Sequence, residues 1–423
     1  MTVAVWLIWA APAMAVKDQP GRILSIDLVR GLDVLLMLFV NEVAGVRDAP
    51  AFLTHVPADA DGMTITDVVF PAFLFMVGMA VPFALGGRMK RGDAPGALWR
   101  HVIARTFALL VIGVLMVNDE LAGFERPFSR HLWSILMTVA VWLIWAAPAA
   151  NERQRQRVRR AVGLVLLVVL VFAYRGTGIT GLVQIRPHWW GILGLIGWAY
   201  LVVAALYLRV GDRPAVLTGA MALLYCLYLA DAAGQAAWLV ALRPYLHVGS
   251  ALGSHAAVTL SGAILSVMLR LHQKEGAASH RFVRPALAYA GGLAAAGLLL
   301  HTLNAVHPAF WFSKPHATPP WCLLSSAFTA GTWAVVHLMA DVRAWQGWPP
   351  VVGMAGENAL VAYLLAPFLL ALFGASASLF GGTNPCYALA GNTAVGLIRS
   401  AVFAWVVVRL CGWLASRGFR MAL

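Results

Sequence analysis

The sequence predicts an all-α, polytopic membrane protein: a bundle of about 11–12 transmembrane helices with its N-terminus in the cytoplasm. Three observations carry this. Of the 423 residues, 61% are hydrophobic and only 12% charged, roughly half the charged share of a soluble domain. Apolar runs of about 16 to 24 residues recur along the chain, and ~20 such residues cross a bilayer as a helix. The basic residues gather in the short connections between these runs, where they set topology. The formal net charge of +13 therefore does not point to a nucleic-acid partner. The cysteines at Cys226, Cys322, Cys386 and Cys411 lack ligand or redox spacing, so neither a metal site nor a disulfide framework is expected.

Taken in order, the expected spans are 23–46, 64–86, 102–118, 131–148, 161–173, 189–208, 215–231, 248–269, 285–305, 318–340, 351–372 and 393–408. The fifth and seventh are short. With the segment before the first span inside, 21 basic residues fall in inner connections, among them Arg153 to Arg160, and seven in outer ones. That excess orients the chain, predicts a multi-pass protein of the cell inner or plasma membrane, and puts His55 on the outer side.

Residues 1–13, MTVAVWLIWAAPA, repeat residues 137–149 of the fourth span. An identity of this length is not a product of composition. The segment 1–21 is therefore read as a leader or duplicated artefact, although a signal peptide would carry a basic n-region that is missing here. Residues 22–420 are read as a single transmembrane domain. No solenoid repeat is found. The string GTGITG at 176–181 opens no βα unit and is set aside as a dinucleotide fingerprint.

Chemistry is sought between Arg22 and Gly86. The first span carries Asp27, Arg30, Asp33, Asn41 and Glu42, and a charge near the bilayer centre costs about 2.5–3.5 kcal/mol or more unless a partner or task requires it. At 100° per residue, Asp27, Arg30, Val34, Met37 and Asn41 share a helix face. Asp27 and Arg30 have the spacing of a pair that only neutralises itself. Asn41, near the outer end of the stripe, has an amide suited either to polarising a carbonyl or to an interhelical hydrogen bond. The loop 47–63 holds His55, Asp59 and Asp61; a loop histidine is either solvated or tuned by acids for proton transfer. Thr64 and Asp67 have capping-box spacing, and Asp67 is equally placed to orient a histidine.

The runs SIDLVRGLDVLLMLFVN, His55 and DGMTITDVVFPAFLFMVG resemble the heparan-α-glucosaminide N-acetyltransferase family and its bacterial relatives. Further matches are HWWGILGLIGWAYL (188–201), HVGSALGSHAAVTLSG (247–262), KPHATPPWCLLSS (314–326) and GENALVAYLL (356–365). The resemblance implies a transmembrane acetyltransferase that takes acetyl-CoA from the cytoplasm and acetylates an amino sugar on the far side. It puts the family's catalytic histidine on His55, its helix-end asparagine on Asn41 and its acid before Phe-Pro on Asp67. Better-known members carry a Trp three residues after the histidine, which is missing here, so the acceptor need not be glucosamine.

On this reading His55, Asn41 and Asp67 are catalytic, His55 as base or transient acyl acceptor. Arg30, Asp27, His101 and Arg105 are expected to hold the coenzyme A moiety, whose phosphates call for cations. His255, Lys314 and Asn358 are expected at the acceptor, with Thr318 near the outer mouth; His301 and His337 are read as packed, hydrogen-bonded helix residues. The expected partners are an acyl-CoA, a sugar or amino-sugar acceptor and the lipid bilayer, with a homodimer among the assemblies allowed. Two rivals are a secondary transporter, against which no second copy of SIDLVRG is found in residues 200–423, and a non-catalytic partner in polysaccharide export.

Overall fold

A computed structural model describes residues 23–122, 129–147, 153–176, 181–276, 278–377 and 392–421, with 382, 384 and 387. The leader 1–21, Cys386 and most of GTGITG lie outside them. The helices are α1 (Leu24–Val43), α2 (Ile65–Lys90), α3 (Pro95–Glu120), α4 (Arg130–Trp145), α5 (Arg153–Ala173), α6 (Ile192–Val210), α7 (Pro214–Ala232) and the short α8 (Ala237–Leu242). Then follow α9 (His255–Lys274), entered through a π-helical turn Gly249–Ser254, α10 (Val283–His301), α11 (Pro319–His337), α12 (Pro350–Glu357), α13 (Ala359–Ser376) and α14 (Thr393–Ser416). The chain is an all-α bundle.

Each of the twelve expected spans falls on a helix. Among the described residues, nine helices are long and apolar enough to cross a membrane. The other three depart for visible reasons: α1 contains Asp27, Arg30, Asp33 and Glu42, α4 has only 16 residues, and α5 opens on an arginine-rich turn. The eleventh span is not the continuous helix expected over 351–372. It breaks into α12 and α13 at Asn358, whose backbone leaves the helical region (φ −135°, ψ 43°). The Asn358 amide there donates to the Phe419 carbonyl at 3.0 Å, which ties the break to the segment after α14.

Small residues set the helix spacing. A Cβ on Gly78 of α2 would lie 1.7 Å from the Thr259 carbonyl oxygen of α9, and one on Gly262 would lie 1.9 Å from that of Phe75. Without side chains the two backbones touch, as membrane helices do where dispersion replaces the hydrophobic effect. Proline stands inside α2 at Pro71 and Pro82, and around the second of them α9 donates across the contact: Ser266 Oγ to the Met79 carbonyl at 2.7 Å and Arg270 Nη1 to the Pro82 carbonyl at 2.6 Å. The α2–α9 pair is therefore the fixed spine of the bundle. At one end of it the connections before α2, α6, α9 and α11 converge.

Candidate functional site

His55 lies in the loop between α1 and α2, and Asp67 in the first turn of α2. His55 Nδ1 is 2.7 Å from Asp67 Oδ1. The second oxygen, Oδ2, accepts from the Thr64 backbone N–H at 3.0 Å, the Thr64 hydroxyl at 3.2 Å and the Val56 N–H at 3.3 Å. One carboxylate thus serves both readings open in the sequence: Oδ2 caps the helix while Oδ1 holds the imidazole. Asp67 is 1% exposed and His55 44% at the side chain, so a buried anion orients a ring that faces outward. An ionised acid accepts only, so Nδ1 donates to it and Nε2 is the ring nitrogen left free of the carboxylate.

Lys314, from the α10–α11 connection, brings Nζ within 3.0 Å of Nε2. Its half-buried ammonium is pushed below the ordinary lysine pKa by burial, opposed by the nearby Asp67 charge. The two loops are pinned together through Asp61, which accepts from the Phe312 N–H at 2.8 Å and sits 2.8 Å from His301 Nε2. His301 stacks on Phe312 at 4.0 Å. As the sequence led us to expect, His301 is packed and hydrogen-bonded; its part in joining the His55 and Lys314 loops was not foreseen. His337 is likewise packed, stacked on Trp333 and 2.8 Å from Asp341.

His55, Asp67 and Lys314 line a cavity of about 930 Å³. His255 lies in its wall too, at the exit of the π-helical turn. Its Nδ1 is 2.8 Å from the Ser250 carbonyl, which fixes the proton on Nδ1 and leaves Nε2 as an acceptor. Phe70 and Trp321 pack against the ring. π-helical turns recur at functional sites because they redirect a side chain out of helical register. Across the cavity Asp231 is held by Arg243 Nε at 2.9 Å and the Gly249 N–H at 2.8 Å. Sequence reasoning missed this pair, as well as Trp189, Trp190 and Tyr245 of the same wall. The available signal was the density of aromatic and histidine residues in connections assigned to one side. Six histidines line the cavity, yet among the described residues no three His, Cys, Asp or Glu are grouped to hold a metal ion.

A second cavity of about 360 Å³ lies beside the first, with Ile192 in the walls of both. The α2 face runs from one to the other: Phe70 borders the first, Phe73 and Val77 the second. Arg30 and Arg105 line the second cavity. Arg30 pairs with Asp27 at 3.1 Å. The Arg105 guanidinium packs over Tyr200 at 4.9 Å, and its buried Nε has no hydrogen-bond partner.

Five expected residues fall elsewhere; the first, Asp27, pairs with Arg30 but lines neither cavity. His101 is one turn before Arg105 on α3 but not in the cavity wall. Asn41 is exposed near the end of α1 and lines neither cavity. Asn358 marks the helix break described above. Thr318 is buried, accepting from the Ser313 N–H at 3.1 Å, and organises the loop behind Lys314.

These features define a polytopic helical membrane protein with a carboxylate-held histidine in the wall of a large cavity. Its curated relatives carry the name read from the motifs. Over 101 residues, 24% of this chain, it is 33% identical to heparan-α-glucosaminide N-acetyltransferase of Homo sapiens, and over 104 residues, 25% of the chain, 31% identical to that of Mus musculus. The matched stretches cover 14% and 15% of those relatives' lengths. No family model matches the chain.

Proposed function

We propose that the protein is an integral-membrane acyltransferase that moves an acetyl group from cytoplasmic acetyl-CoA to an amino sugar or sugar hydroxyl on the opposite side. The observation that carries this reading is the His55–Asp67 pair on a cavity that adjoins, through Ile192, one whose lining includes Arg30 and Arg105. Acyl transfer needs a base for the nucleophile and a donor for the carbonyl oxygen. Nε2 of His55 takes the proton of the acceptor amine or hydroxyl. As the new bond to the acyl carbon forms, the thioester C–S bond breaks, and the proton passes from the imidazolium to the departing sulfur. Asp67 holds the tautomer and stabilises the transient imidazolium.

Lys314 is the nearest donor for the oxyanion, and Asn41, whose amide is exposed, is the second. The bound donor molecule supplies the thioester. Its phosphates suit Arg30 and Arg105, and the buried, unpartnered Nε of Arg105 is the mark of a group that lacks an anion. His255 Nε2 and Asp231 are acceptors for the hydroxyls of a sugar, while Trp189 and Trp190 offer aromatic faces to it.

Purified full-length protein in vesicles, given acetyl-CoA and a panel of amino sugars, should release free thiol. His55→Ala should lower this by roughly 10²–10⁴-fold and still bind coenzyme A. Uptake of a solute with no thioester consumed would instead establish the transporter.

A further inference from the structure

At the end of the bundle opposite His55, α2 and α9 part around a third cavity of about 340 Å³, lined by Phe83, Gly87 and Lys90 of α2 and Arg270, Gln273 and Lys274 of α9. Gly87 stands 20 residues beyond Asp67 on the same helix, ~30 Å at 1.5 Å per residue. This cavity is therefore far from His55, and it shares no lining residue with the cavity of Arg30 and Arg105.

Its charge is unbalanced. Arg270 Nη1 is 3.0 Å from Asp212 Oδ1 and Lys274 Nζ is 2.7 Å from Asp212 Oδ2. Asp212, in the α6–α7 connection, is the acid that both of them meet. Burial pushes its carboxyl up, but hydrogen bonds from Lys274 and Tyr207 and the Arg270 charge more than reverse this, so it stays ionised. Lys90 adds a third cation, and no described ion pair offsets it. Three cations thus line the cavity, and two of them meet the Asp212 carboxylate.

The site is also built rather than incidental. Arg270 is 8% exposed. Its described hydrogen bonds all run through Nη1, to the Pro82 carbonyl, the Tyr207 hydroxyl and Asp212. Gly86 makes room for it, since a Cβ there would lie 2.5–2.8 Å from the guanidinium. Lys90, Gln273 and Lys274 are exposed at the rim, where α2 and α9 end.

We propose that this cavity binds a phosphate ester, and that its occupant is the headgroup phosphate of an anionic phospholipid in the leaflet at that end of the bundle. Basic pockets between membrane helices bind such headgroups, at about 1 kcal/mol per Lys or Arg near the surface. Guanidinium and ammonium groups supply the charge-assisted bonds that a phosphate oxyanion accepts. The charge asymmetry of the connections assigns this end to the cytoplasm, the side on which anionic lipids draw basic segments.

The test uses the full-length protein in detergent micelles doped with phosphatidylglycerol or phosphatidylcholine, with inorganic phosphate and coenzyme A as separate arms. Bound lipid is read by native mass spectrometry and thermal shift. Phosphatidylglycerol should be retained over phosphatidylcholine and raise the melting temperature. Lys90→Gln/Lys274→Gln should weaken that binding roughly 25-fold with phosphatidylcholine unchanged. The double variant is chosen because Arg270 also ties α2 to α9, so its loss would unfold the spine. His55→Ala should keep the lipid preference, which separates this site from the proposed catalysis. Equal retention of both lipids, an unaltered preference in the double variant, or saturable binding of inorganic phosphate or coenzyme A alone would each overturn the proposal.

Discussion

Lys314 Nζ lies 3.0 Å from Nε2 of His55, on a ring whose Nδ1 is already engaged by Asp67 at 2.7 Å. With Nδ1 protonated toward the carboxylate, only Nε2 is left to accept from the lysine. The imidazole is thus flanked by a buried anion that fixes its tautomer and a half-buried amine that an incoming substrate must displace. No two of these three residues lie on the same helix or loop, and Lys314 is brought to the pair where Asp61 and the Gly62 N–H bond the Phe312 backbone.

The lysine makes a prediction about stability. Burial holds its folded-state pKa below the ordinary value of 10.5, the Asp67 charge opposing. Between those two pH values the unfolded chain binds more protons than the folded one, so folding stability rises with pH across the window and falls as pH drops through it. Melting temperatures of the wild type relative to Lys314→Met should therefore climb as pH approaches about 10.5 and level off below the folded pKa. A constant difference across the range would mean that the amine is not desolvated.

Asp67→Asn keeps an oxygen for the Thr64 N–H but loses the negative charge opposite Nδ1. The ring is then free to adopt the wrong tautomer. A loss of kcat on the order of 10²–10⁴-fold is expected, with the folded fraction by size-exclusion chromatography unchanged. Failure of the variant to accumulate in the membrane would assign the residue to helix capping instead.

Much of this was legible in the sequence, and what was missed has a common cause. The spans follow from hydropathy, which is a property of consecutive residues. His55 and Asp67 are 12 positions apart on one loop–helix junction, so local pattern brings them together. Lys314 is 259 positions from His55, and Asp231 and Arg243 reach the cavity from another connection; no periodicity encodes such meetings. The break at Asn358 was hidden because the run 351–372 is apolar apart from Glu357 and Asn358, and the amide that marks the interruption bonds a distant carbonyl, Phe419. Asn41 shows the reverse: helical spacing put it on the Arg30 stripe, but its position at the end of α1 leaves it exposed outside the cavity wall.

That exposure defines the next test. An exposed amide near the C-terminal end of α1 stabilises charge only when a thioester carbonyl is presented to it. Asn41→Ala should therefore lower kcat by about 10–10³-fold while leaving the Kd for acetyl-CoA within a factor of about two. Isothermal titration alongside turnover measures both. Parallel losses would show that the side chain binds the donor in its ground state.

The α2–α9 spine can be tested without touching the chemistry. A Cβ at Gly78 would come 1.7 Å from the Thr259 carbonyl oxygen and 2.7 Å from its carbon. These are backbone atoms, so no rotamer change relieves the clash and the helices must separate. Gly78→Ala should destabilise by about 1–3 kcal/mol or more, seen as a lower melting temperature in detergent. The matched control is Gly291→Ala on α10, where nothing lies within 4 Å of the added carbon. There the helix gains roughly 0.5–1 kcal/mol from the lost flexibility of glycine. Opposite signs at two helical glycines would tie the effect to the backbone contact; a rise at Gly78 as well would mean that α2 and α9 do not meet in the membrane as they do here.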